Sequence, residues 1–195
     1  MHKLGKIGLG LAMMLLGTVL LNMYKNHPLL SPDWHRALHV FGGVIFLGNV
    51  IVSAVWIVSA HRSNSVPALL FALNTLSRTD AIFIAPGSLL AVMTGIVLAD
   101  AWNGLFKAGW ILTGFVLLVI AGIAWRGFLV PCQETLRMLI QEDAQKARQQ
   151  FSPSVRHELW KWYAWGMVAA LPPLITLFLM IIKPRATSGF FKVMN

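Results

Sequence analysis

Charge is scarce in this sequence. Only 12% of its 195 residues are Asp, Glu, Lys or Arg, and just 7 are acidic. Soluble proteins average about 25% charged residues, and so thin a supply cannot solvate a water-soluble domain of this size. Cysteine is scarcer still. Cys132 stands alone, so no intrachain disulfide can form and a thiol-based metal site lacks its other ligands. There is no Gly-rich phosphate loop, no nucleophile elbow and no paired-Cys motif, so no catalytic residue can be named.

What fills the chain instead is hydrocarbon. Hydrophobic residues make up 57%, against about 45–50% in soluble domains, and they fall in five runs at 7–24, 35–60, 81–99, 109–130 and 160–182. Runs of this length separated by short polar stretches predict an all-α, polytopic membrane bundle of five transmembrane helices, with the lipid bilayer as its surroundings. The first run follows His2, Lys3 and Lys6, as in a secretory signal, but "LNMYKNHP" offers no small-x-small cleavage site and reads as an uncleaved helix. The expected organisation is an N-terminal anchor helix and outer loop over 1–32, a four-helix core over 33–185 and a tail over 186–195. Trp34 and Trp56 bracket the second run as headgroup-level aromatics. "NTLSRTD" at 74–80 reads as a loop and cap before the third helix, and 133–158 as a polar loop carrying a short surface helix.

The net charge of +9 follows from basic residues flanking the spans. No basic stripe with interleaved aromatics accompanies it, which excludes nucleic acid as a partner. The N-terminus and the loops after the second and fourth runs hold ten of the sixteen Lys and Arg residues. That bias places the N-terminus and those loops in the cytoplasm.

An ionisable group within a span is by default a site hypothesis. His39 lies about one turn inside the second run, with His35 four residues earlier on the same face and Gly42 and Gly43 just deeper. Glycines beside an imidazole leave a flat slot that suits a macrocycle held through Nε2, as in b-type cytochrome bundles. Equally, His39 can serve as a hydrogen bond between helices, with the glycines making contact. With the second helix running inward, His35 and His39 share an outer layer with Asp100, Trp102, Lys107, Trp110, Met180 and Lys183. An inner layer gathers a candidate polar network of Arg62, Arg78, Asp80, Arg126 and His157, read as an ion-pair cluster or as a cradle for an anionic group. Gly87, Ala91, Gly95 and Ala99 form a small-residue stripe along the third run, suited to close helix packing. Pro86 and the Pro172-Pro173 pair remove backbone donors within spans.

The series "LHVFGGVIFLGNVIVS", "RTDAIFIAPGSLLAVMTGIVLA", "GWILTGFVLLVIAGIAWRGFLVPCQ" and "WKWYAWGMVAALPPLITLFLMIIKP" resembles the bacterial integral-membrane family called domain of unknown function 2269, over residues 33–185. That family is in turn similar to the copper-resistance protein D family and to membrane-embedded, haem-binding protoporphyrinogen oxidases. The resemblance implies a bacterial cytoplasmic membrane location, His39 as haem or metal ligand, and Lys183 as partner of a carboxylate or propionate. This chain has Phe46 where the oxidases carry a tryptophan-rich stretch, and its third run is almost wholly apolar. The bundle therefore carries over, while an oxidase activity does not.

Three functions compete. In the first, a b-haem redox bundle passes electrons between quinol and an acceptor, with His39 as one axial ligand and His35, Met180 or a partner chain supplying the other. In the second, the chain is a non-catalytic accessory or assembly subunit of a membrane respiratory or metal enzyme. In the third, His35, His39 and Met180 converge to handle copper.

Overall fold

The computed structural model describes residues 30–184. The run at 7–24 lies outside the described residues, so four candidate spans stand in the structure where five were expected. Every regular element among the described residues is helical.

Helix α1 is Pro32–Ser63. Helix α2, Val66–Thr79, passes through a π turn at Asp80–Ile84 into α3, Ala85–Ala99, and a 3-10 turn, Asp100–Trp102. Helix α4, Gly109–Ala124, passes through a second π turn at Trp125–Leu129 into α5, Val130–Gln145. Helix α6 is Pro153–Ile182. Two continuous rods result, Val66–Trp102 and Gly109–Gln145, each of 37 residues. At 1.5 Å per residue each is about 55 Å long, well beyond the roughly 30 Å of a hydrocarbon core.

Both rods change their hydrogen-bonding pattern at the same kind of place. Pro86 and Pro131 occupy the first turn of α3 and of α5, directly after the π turns. A proline lacks the N–H for the i−4 carbonyl, and its ring collides with that carbonyl. The wider π turn absorbs this: Ala85 N–H bonds to Asp80 O, and Val130 N–H to Trp125 O, each five residues back.

One sequence expectation fails here and another is met only in part. The stretch 74–80 is not a loop but the end of α2 and the first residue of the π turn. Its polar side chains do not break the helix because Ser77 Oγ donates to Leu73 O and Thr79 Oγ1 to Leu76 O, satisfying themselves on the preceding turn. The surface helix expected within 133–158 is present as α5, but it prolongs the fourth span instead of standing apart from it, burying Cys132, Leu136 and Ile140 at helical spacing together with Asp143 and leaving Glu134 and Glu142 exposed.

The tightly packed core sits at one end of the molecule. Leu69, Leu73, Leu136, Ile140, Val155 and Leu159 are fully enclosed, joined there by Ile57 from the end of α1. The short connection from α5 to α6 is fastened by Asp143, which accepts from Ser152 N–H at 2.8 Å and faces Arg148 at 3.5 Å. The apolar run 81–99 is about 28 Å long as a helix and matches the hydrocarbon thickness, leaving α2 and α5 beyond one edge of it. Within the apolar half, helices pair along two seams, α1 on α3 and α4 on α6. Outward-facing Ile82, Ile123 and Phe178 are exposed as lipid-facing side chains must be.

The first seam is built on glycine. A Cβ on Gly42 would meet Ala91 N and Gly87 O at 2.8 Å, and one on Gly87 would meet Gly42 O at 3.0 Å. The small-residue stripe thus faces α1 and sets how closely the two backbones approach.

Candidate functional site

Between the two helix pairs lie two cavities in line. The one farther from the packed core, called outer, has a volume of about 610 Å³, and the one beside that core, called inner, about 550 Å³. They share Phe46, Ala91, Val92 and Leu118 as common walls. Each is within the range of about 300–1,000 Å³ usual for ligand and cofactor sites.

His39 enters the outer cavity from α1. Its Nδ1 lies 2.7 Å from Ala91 O of α3. A carbonyl only accepts, so Nδ1 carries the proton, and in a neutral ring the lone pair sits on Nε2. The ring fits because Gly95 leaves room: a Cβ there would lie 2.9 Å from His39 Cε1. Thr94 Oγ1, 3.4 Å from Nδ1, donates its own proton to Leu90 O at 2.6 Å. Gly95→Leu is expected to push the imidazole off the Ala91 carbonyl while sparing the backbone seam, since a side chain is what must yield. Loss of the hydrogen-bonded Nδ1–H resonance in histidine-labelled protein would record it, with a stability loss of about 0.6–2 kcal/mol.

The opposite wall comes from α6. Met180 and Lys183 both line the outer cavity, as do Arg36, Trp102 and Trp110. Met180 Cε packs where Gly114 of α4 lacks a side chain. Lys183 caps α6 in the left-handed conformation, φ 47°, and sets its ammonium 5.4 Å from the Trp102 ring centroid, with Trp102 edge-on to Trp110. The expected outer layer is thus assembled in part. His35 is elsewhere: it is buried, its Nδ1 is 2.9 Å from Ser31 O of its own helix, and it does not line the cavity. Gly42 serves the α1–α3 crossing, whereas Gly43 opens on the cavity.

The inner polar network predicted from charge layering does not form. Arg62, Arg78, Arg126 and His157 are exposed, and Asp80, only 7% exposed, is hydrogen-bonded by two amides, Asn49 at 3.2 Å and Gln133. Layering fixes depth but not the angle around the helix, and the arginines point outward. Arg137 bonds Ser77 and Glu134, Lys161 pairs with Glu158 at 3.0 Å, and His61 shares a hydrogen bond with Tyr163 at 2.9 Å. Asp80 and Gln133 both line the inner cavity. The sequence signal for this cluster was Asn49, a polar amide in mid-span.

Cys132 is buried with its Sγ 3.7 Å from Glu158 O, a packed thiol and not a reactive one. Among the described residues, no three His, Cys, Asp or Glu side chains gather as a metal cluster would require. With His35 outside the cavity, the His35, His39 and Met180 set expected for copper does not line one space.

Long apolar helices, a lipid-facing exterior and isolated polar groups turned inward onto cavities define a polytopic helical integral membrane protein. Residues 34–184 match the family model described as predicted integral membrane protein, domain of unknown function 2269, and the chain belongs to that family. No curated protein and no solved structure matches it.

Proposed function

We propose that the outer cavity holds a b-type haem and that the protein is an electron-transfer bundle of the bacterial cytoplasmic membrane. The observation that carries this reading is His39: its Nδ1–H is given to the Ala91 carbonyl, leaving Nε2 as the free ligand atom of a residue that lines a large apolar cavity. Donation of the second ring N–H to a carbonyl is how metal-ligating histidines are oriented and made more basic. Met180, on the facing helix pair and lining the same cavity, would supply the second ligand. Lys183 and Arg36 at the cavity's outer end would neutralise carboxylates, and Trp102 and Trp110 close that end against water. When bound, the haem supplies one-electron chemistry whose potential these residues tune. The motif resemblance of His39 and Lys183-Pro184 to haem-binding membrane oxidases supports the same assignment.

The test is spectroscopic. Protein purified in detergent from haem-replete cells should show a Soret band. His39→Ala should lose it while still inserting in the membrane, Met180→Leu should change the spin state, and Lys183→Met should keep the haem but shift its potential. A colourless parent, or a His39→Ala variant with an unchanged spectrum, overturns the proposal.

A further inference from the structure

The inner cavity makes a second site, independent of what His39 holds. Asp80 is a buried carboxylate at the edge of the apolar run 81–99, and its partners Asn49 and Gln133 are neutral amides. No cation among the described residues lies within ion-pair distance of it. A carboxylate in that position is expensive to keep unless it has a use. Were its use only to tie α1 to the π turn, the two amides would suffice and the space beside it would be filled. Instead about 550 Å³ adjoins it, walled by the rings of Phe46, Trp125, Trp162 and Tyr163.

The one charged group among the described residues of this cavity is an acceptor, the Asp80 carboxylate, whose oxygens carry more lone pairs than Asn49 and Gln133 occupy. Besides Asp80, the wall includes Ala169, whose carbonyl loses its helical amide donor to Pro173. A carboxylate there rejects an anionic headgroup and calls for a ligand that donates to it. Ring-lined walls favour a flat aromatic head. The remaining surface is hydrocarbon, and the cavity lies between helix pairs that face lipid, so a ligand arriving from the bilayer brings an apolar tail. The indole N–H groups of Trp125 and Trp162 are buried without an acceptor. A ligand oxygen that drew either ring round would satisfy one of them.

We propose that the inner cavity binds the head of a quinol-class lipid, with a phenolic hydroxyl donating to Asp80 and with Asn49 and Gln133 holding the carboxylate in place. The proposal concerns binding, and it stands whether or not the outer cavity carries haem.

Anaerobic calorimetric titration of the full chain in detergent tests it, using a decyl-substituted benzoquinol, the corresponding benzoquinone and farnesol. The quinol should bind saturably, and the quinone, which cannot donate, at least about tenfold more weakly. Asp80→Asn should lower quinol affinity by about tenfold with little change for the quinone. Gly166→Leu fills the cavity from a position where a Cβ would come no nearer than 4.0 Å to Trp162, so it should block the quinol even if Asp80→Asn does not fold. His39→Ala should bind the quinol like the parent, which separates this site from the haem proposal. Absence of saturable quinol binding, equal affinity for the quinone, farnesol binding as tight as the quinol's, or full quinol affinity in Gly166→Leu would each overturn it.

Discussion

Gly42→Leu is expected to prevent stable assembly of the bundle. Its Cβ alone would fall 2.8 Å from Ala91 N and from Gly87 O, and both are backbone atoms of a helix that cannot flex locally. The α1–α3 seam must therefore open along its length, losing the contacts that membrane helices depend on when lipid and side chain are equally apolar. Overpacking ordinarily costs about 1–3 kcal/mol; with backbone on both sides, a loss above about 3 kcal/mol is expected. Gly48 on the same helix has nothing within 4 Å of its would-be Cβ, so Gly48→Leu should melt within a few degrees of the parent. Thermal unfolding of both variants in one detergent gives the comparison. Equal melting would show that the two helices are not seated on Gly42.

At the other end of the molecule, Leu136→Ala should cost about 2–5 kcal/mol, as truncating an enclosed leucine does. Leu136 is 0% exposed, within the cluster where α2, α5 and α6 converge. Ile82→Ala, at an outward-facing position 60% exposed, should stay within about 0.5 kcal/mol. Chemical unfolding followed by tryptophan emission would separate the two. A small effect at Leu136 would mean that the extramembrane core contributes little to holding the helix pairs together.

The spans were legible because hydropathy is a property of composition, and the four runs from 35 onward each fall within a helix of the structure. Helix α5 was legible as a helix but not as a continuation of the fourth span, and α2 was not legible, because its polar residues look like loop when the window holds Asn74, Ser77 and Asp80 together. Only the period of Leu69, Leu73 and Leu76 marks that stretch as helix. His39 stood out as an ionisable group in hydrocarbon, yet its tie to Ala91 spans 52 positions and no local pattern encodes it. Asp80 was noticed and given the wrong partners. Sorting charges by depth brought it to the arginines, whereas the angle at which each side chain leaves its helix brought it to Asn49 and Gln133.

That angle has a mechanical origin in the π turns. An α-helix advances about 100° of azimuth per residue, so one additional residue in a turn resets the phase of everything that follows. In each long rod the apolar half and the extramembrane half are thus indexed separately. One half of α2–α3 is set to meet α5 and α6, the other to lay its glycines on α1. Removing a single residue from Asp80–Ile84 would not shorten the rod appreciably, but it would swing Gly87 and Gly95 off the α1 seam by about a quarter of a revolution and carry the Ala91 carbonyl away from His39. The two cavities are in this sense products of a phase setting, each fixed in chain direction by a proline and in rotation by the wider turn before it.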